Sequence, residues 1–205
     1  MGENKDMSIH GVIKLYGQGN IEVEMVYSYL ADLEHAYNSI FVFESIDPHY
    51  FPMSLFLLPY RGRRLRFIRF IQDWPPSPKE IASLVPICDR LVMVGVSLSS
   101  PGFWEFLGSL NPLEVIRQYL NDRHERRKDR EYRESAEARR LELENLKLEN
   151  EVLKERIKIL KELGIEDRDL APLLNELVFR PLRALGYYQD RGVIERAEIS
   201  SQDRK

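Results

Sequence analysis

The sequence predicts an α+β protein: a small N-terminal α+β domain, then a long α-helix forming a parallel coiled coil, then a C-terminal helix. Three observations predict it. Residues 8–17 alternate in polarity and residues 91–98 contain no charge, two strand patterns that precede residue 110. From Asn111-Pro112 to Gly164 no further proline or glycine interrupts the chain, so that stretch reads as one unbroken helix. Within it Leu143, Leu146, Asn150, Leu153, Ile157 and Leu160 alternate spacings of three and four, an a/d heptad seam with one polar member. The predicted units are a head domain over 1–110, a charged stalk and zipper over 111–164, a C-terminal helix over 165–190 and a flexible tail over 191–205.

Within the head, Ile9, Gly11, Ile13 and Leu15 share one face of the first strand, and Gly17 and Gly19 make a turn. Asn20 is a candidate N-cap for a helix from Ile21, whose apolar face is Val23, Val26, Leu30, Leu33 and Tyr37 and which stops before Pro48. Residues 53–58 look like a strand, and 65–71 fit a returning strand or a short helix. Ser77-Pro78-Lys79-Glu80 is a capping box with proline at N1, predicting a short helix to about Val85. The run from Leu91 to Leu98 is apolar on both faces, which suits a central strand. Asn111-Pro112-Leu113-Glu114 repeats the helix-start signal. Asp167 can cap a last helix carrying Leu170, Leu173, Leu174, Leu177 and Leu182, which Pro181 should kink or end.

Charge excludes some function classes. The net charge is −3; residues 1–110 hold 9 Lys+Arg against 12 Asp+Glu, and the remainder holds 21 of each. Neither half attracts nucleic acid or an anionic membrane in general. The single cysteine, Cys88, excludes an internal disulfide framework and a thiolate zinc cluster, and fits a reducing cytoplasm. The start is polar, with no secretory pattern, and the longest apolar run, 50–60, is about half a bilayer span. A cytoplasmic protein without membrane contact is expected.

An a/d seam cannot be buried by its own helix, and the expected partner is a second copy. With Leu143 at a, Glu142 and Glu149 fall at g and Lys147 and Lys154 at e, so a parallel homodimer gains two g–e′ ion pairs. Asn150 at an a position would pair with its twin and fix register. The competing reading packs this helix on its own domain, using a second stripe of Leu141, Leu148, Val152, Ile159 and Leu163.

Upstream of the zipper, Arg123, Arg126, Arg127, Lys128 and Arg130 give the layout of basic-leucine-zipper proteins over about 40 residues. The family's Asn-x-x-Ala-x-x-x-Arg recognition pattern is missing. From Asp122 to Glu142 there are eight Lys/Arg and seven Asp/Glu. The acids oppose the counterion-release term that drives phosphate binding, so a solvated stalk is favoured over a DNA reader.

Arg61, Arg63, Arg64, Arg66 and Arg69, interleaved with Leu65, Phe67, Ile68 and Phe70, are the candidate anion-binding cluster, since guanidinium forks suit phosphate and rings suit bases. Their bland alternative is pairing with the head's own acids. Gly95-Val96-Ser97-Leu98-Ser99 fails the nucleophile-elbow pattern, which needs glycine at 99. His10, His35, His49 and His124 have no acidic orienter by spacing. Gly17-Gln18-Gly19 lacks the third glycine of a dinucleotide loop. No catalytic residue, cofactor or metal is expected.

The stretch Ser99-Ser100-Pro101-Gly102-Phe103-Trp104-Glu105-Phe106-Leu107-Gly108, continuing to Arg126, resembles segments of bacterial proteins that share a small α+β domain, a Ser-Pro turn and a charged helix. The resemblance covers roughly residues 90–130. It implies a bacterial, cytoplasmic origin and carries no activity. The expected function is a non-enzymatic homo-oligomeric adaptor, sensor or scaffold that meets a protein partner through its head; the alternative is a nucleic-acid or nucleotide-binding regulator using the arginine cluster.

Overall fold

Strand β1 (His10–Gly17) lies inside an antiparallel sheet of order β2-β3-β1-β4. The computed structural model describes residues 9–18, 21–46, 76–99, 101–128, 146 and 150–201. In chain order β1 is followed by α1 (Val23–Ser45), α2 (Pro78–Leu84) and a 3₁₀ turn (Ile87–Asp89). Then come β2 (Val92–Ser97), β3 (Gly102–Ser109), α3 (Leu110–Lys128) and α4 (Glu151–Glu162). The chain closes with α5 (Asp167–Leu174), a π-helical turn (Asn175–Phe179), α6 (Arg180–Asp190) and β4 (Arg196–Ser201).

The period-2 pattern of β1 sets the layers. Ile13 and Leu15 point inward, opposite Phe106 and Trp104 of β3 on one side and Ile199 and Ala197 of β4 on the other. Helix α3 packs against β1, β3 and β4, and α6 packs against α1 and α3. Tyr29 of α1 sits edge-on to both Trp104 and Tyr188, each 5.6 Å away between ring centres. Gly186 lets α6 approach α3, because a Cβ there would come 2.7 Å from the Tyr119 hydroxyl. Pro181 cannot donate to the carbonyl one turn back, and the widened π turn before it lets helical geometry resume in α6.

Several expectations hold. The Ser77 capping box is present: the Ser77 amide donates to Glu80 Oε2 at 2.7 Å and the Glu80 amide to Ser77 Oγ at 3.3 Å. Gly164 ends α4 with φ +88°, a conformation that costs other residues a Cβ clash.

The long helix is corrected. Asn150 has ψ 114°, outside the helical region, and is the N-cap of α4: its Oδ1 accepts from the Leu153 amide at 3.0 Å. Its Nδ2 donates to Gln118 Oε1 of α3 at 2.8 Å. A helix therefore begins at residue 151, and 111–164 is not one uninterrupted rod. The zipper is corrected with it. Leu146, Leu153, Ile157 and Leu160 are at most 8% exposed, and Asn150 is 1% exposed, within a single chain. The described part of the seam is therefore already sheltered and offers no apolar stripe for a parallel homodimer; Leu143 lies outside the described residues. Arg156, a mismatch in zipper register, donates to the carbonyls of Phe43 and Ile46, closing the C-terminus of α1.

The tail expected over 191–205 supplies β4, which pairs with β1 through six residues. Buried residues from Ile13 to Ala197 form one hydrophobic core that joins both halves of the chain. Arg123, placed by the basic-zipper layout among phosphate-facing residues, is 8% exposed and donates to Asp190 at 2.7 and 2.9 Å.

Candidate functional site

The two edges of the sheet are built differently. At β4 the outward backbone groups of Ala197 are closed by one side chain: the Ala197 amide donates to Asn121 Oδ1, and Asn121 Nδ2 donates to the Ala197 carbonyl, both at 2.9 Å. The strand also carries Arg196 and Glu198, charges that discourage edge-to-edge pairing. On its outer face Tyr16 donates to Glu198 at 2.7 Å, which with Arg196 holds that carboxyl below its usual range.

Strand β2 is the opposite edge. The expectation of a central strand is corrected: among the described residues β2 pairs only with β3, and its apolar residues are exposed. Val92, Met93, Val94, Val96 and Leu98 are exposed by 43 to 64%. Met93 and Val96 lie opposite buried Phe106 and Trp104, on the inner face, and are nonetheless 43% and 53% exposed. No residue from Leu91 to Ser99 is charged. The strand's one protective device is a bulge between Met93 and Gly95, which leaves Val94 without an opposite residue. A Cβ at Gly95 would meet the Glu105 carboxylate at 2.5 Å, so that side chain would have to move aside.

A buried polar network fixes the root of this strand. Asp89 ends the 3₁₀ turn just before β2. The Tyr37 hydroxyl donates to the Asp89 carbonyl and accepts from the Ser109 amide at 2.7 Å. Burial pushes the Tyr37 phenol up, which keeps its proton in place for this bond. The Asp89 carboxylate accepts from Ser109 Oγ at 3.2 Å and from the Cys88 thiol at 3.4 Å, and His10 Nε2 lies 3.3 Å from it. His10 Nε2 also reaches the Cys88 carbonyl at 3.1 Å. Sequence reasoning missed this group, because residues 10, 37, 89 and 109 come from β1, α1, the 3₁₀ turn and β3 and meet only in the fold. Within this group Ser109 donates to the Asp89 carboxylate and not to the imidazole.

Tyr37→Phe should cost about 1–3 kcal/mol, because it strands a buried carbonyl and a buried amide at once. Urea denaturation measures the loss, and faster amide exchange in β2 should accompany it.

Among the described residues no group of three or more His, Cys, Asp or Glu could hold a metal ion, and no helix is long and apolar enough to cross a membrane. The predicted anion cluster, Arg61, Arg63, Arg64, Arg66 and Arg69, lies outside the described residues. No protein-family model, curated protein or solved structure matches the chain.

Proposed function

We propose that the protein is a non-enzymatic, self-associating adaptor whose assembly surface is the β2 edge. The carrying observation is the contrast between the edges: β4 is closed by Asn121 and charged, whereas β2 is apolar, uncharged and exposed. An edge of that kind templates the addition of another strand. A second copy is the favoured occupant for two reasons. Antiparallel pairing of β2 with its own twofold mate consumes both open edges at once, a closed isologous contact. A strand without charges also meets its copy without like-charge opposition across the pair. The dimer would present two sheets as one, and its value as an adaptor is the doubled presentation of each protomer's surface to a repeated target.

Light scattering at micromolar concentration tests the reading. The native chain should run as a dimer. Val94→Lys with Val96→Lys should run as a monomer with an unchanged circular dichroism spectrum, since both side chains are about half exposed. A monomeric native chain, or a dimer that survives both lysines, overturns it.

A further inference from the structure

A cleft of about 290 Å³ opens between α1, α2 and the turn that follows α2, lined by Glu34, Asn38, Lys79, Ala82, Ser83 and Arg90. Asn38 is the informative residue. It is 4% exposed, yet its side chain has no hydrogen-bond partner among the described residues, and it lines the cleft. Buried amides are nearly always satisfied, and one left open toward a cavity is a group awaiting a partner. The charges around it are in the same state. Lys79, Arg90 and Glu34 line the cleft with no ion pair among the described residues, although the chain pairs many of its other surface charges.

Local structure explains why these groups stay apart. Glu34 and Asn38 are one helical turn apart on α1 and so share a face. Lys79 sits in the first turn of α2, where the Ser77 capping box uses Glu80 and leaves the lysine unengaged. Ser83 donates its proton to the Glu80 carbonyl at 2.6 Å, so its oxygen is left as an acceptor facing the cleft. Arg90 follows Asp89, whose carbonyl and carboxylate are held by Tyr37 and Ser109, so the backbone that carries the guanidinium is pinned.

We propose that this cleft binds a small amino dicarboxylate. The argument is charge balance in a confined space. Two cations and one carboxylate leave a net charge of +1 on the lining. A ligand with two carboxylates and one ammonium complements them group by group: carboxylates to Lys79 and Arg90, ammonium to Glu34 and the Ser83 oxygen, and the Asn38 amide to whichever carboxylate lies deepest. A simple anion would leave Glu34 facing it unpaired, and a simple cation would face Lys79 and Arg90. The volume stands near the lower end of ligand pockets, about 300–1,000 Å³, which suits a molecule of this size. The site lies apart from the β2 edge and does not depend on self-association.

Calorimetric titration of the full chain with L-glutamate and L-aspartate tests the assignment. Glutarate, succinate and L-alanine serve as the arms lacking the ammonium or one carboxylate, and inorganic phosphate as the plain anion. One or both amino dicarboxylates should bind at least about tenfold more tightly than every control, a difference of about 1.4 kcal/mol. Arg90→Gln and Lys79→Gln, both at exposed positions that leave the core intact, should each weaken that binding about tenfold or more. Glu34→Gln should abolish the preference over glutarate and succinate. Because Val94→Lys with Val96→Lys leaves the cleft untouched, that variant should bind equally well, which separates failure here from failure of the adaptor reading. Equal binding of phosphate or succinate, indifference to both cation variants, or no heat with either amino acid overturns the proposal.

Discussion

Leu153→Ala is expected to destabilise the single folded chain by about 2–5 kcal/mol, the cost of a large-to-small change in a core that cannot collapse around the cavity. Leu153 is 0% exposed and begins the first full turn of α4, between the Asn150 cap and Ile157. A zipper makes a different prediction for the same variant. There Leu153 would be sheltered by another molecule, and the loss would grow on dilution as the dimer came apart. Here the loss measured by urea denaturation should be the same across about a hundredfold range of protein concentration, and the same in the Val94→Lys, Val96→Lys background. A concentration-dependent loss in that background would return the seam to an intermolecular role.

The zipper reading and the structure start from the same side chains, and the point where they part is instructive. A 3-4-3-4 spacing states that one stripe of a helix must be buried, and the stripe is buried. It does not state against what. The deciding residue is Asn150, because asparagine serves both as a polar a-position residue and as a helix N-cap. Choosing between those roles requires knowing that Gln118 lies 2.8 Å from its amide, a contact between residues 32 apart in sequence.

The strands show the same limit. The Ser77 capping box and the Gly164 stop were legible because their physics is local, spanning only a few residues. The run 91–98 was legible as a strand for its β-branched, uncharged composition. Its place in the sheet was not, since an apolar run on both faces fits a buried centre as well as an edge reserved for another strand. Strand β3 was hidden by its two glycines and by Ser109, and β4 by the polarity of Arg196, Glu198 and Ser200, which follows from its outward face and closed edge. The polar network of His10, Tyr37, Asp89 and Ser109 left little trace, because none of its members stands within a helical or strand repeat of another; its one available hint was the histidine that opens the first strand. The cleft residues divide similarly: Glu34 and Asn38 are a readable i, i+4 pair, but Arg90 joins them only through the fold.

The second large effect is a dependence on pH set by Glu44. This residue stands in the last turn of α1, with Arg156 of α4 nearby and Asn111 of α3 bonded to its side chain, and one carboxyl oxygen is buried without a partner. Burial dominates over the favourable charge of Arg156 and the bond from Asn111, and pushes the carboxyl up to about 8. Below about pH 4.5, the ordinary value, the group is protonated in both folded and unfolded chains and costs nothing. Between about 4.5 and 8 the unfolded chain releases the proton while the folded chain retains it, so stability falls as pH rises. Above about 8 both are ionised and the full loss is in place.

At about 1.4 kcal/mol per unit the ceiling is some 4–5 kcal/mol, and access of water to a side chain that is not fully buried brings the expected loss nearer 1–3 kcal/mol. Glu44→Gln keeps the shape and the partner for Asn111 and removes the titration. Its melting temperature should exceed that of the native chain at pH 8.5, and the gain should vanish near pH 4.5. A variant that gains nothing at high pH, or gains equally at both, would show that the Glu44 carboxyl ionises in the folded chain as freely as in water, held in its charged form by Arg156 across the junction of α1 and α4.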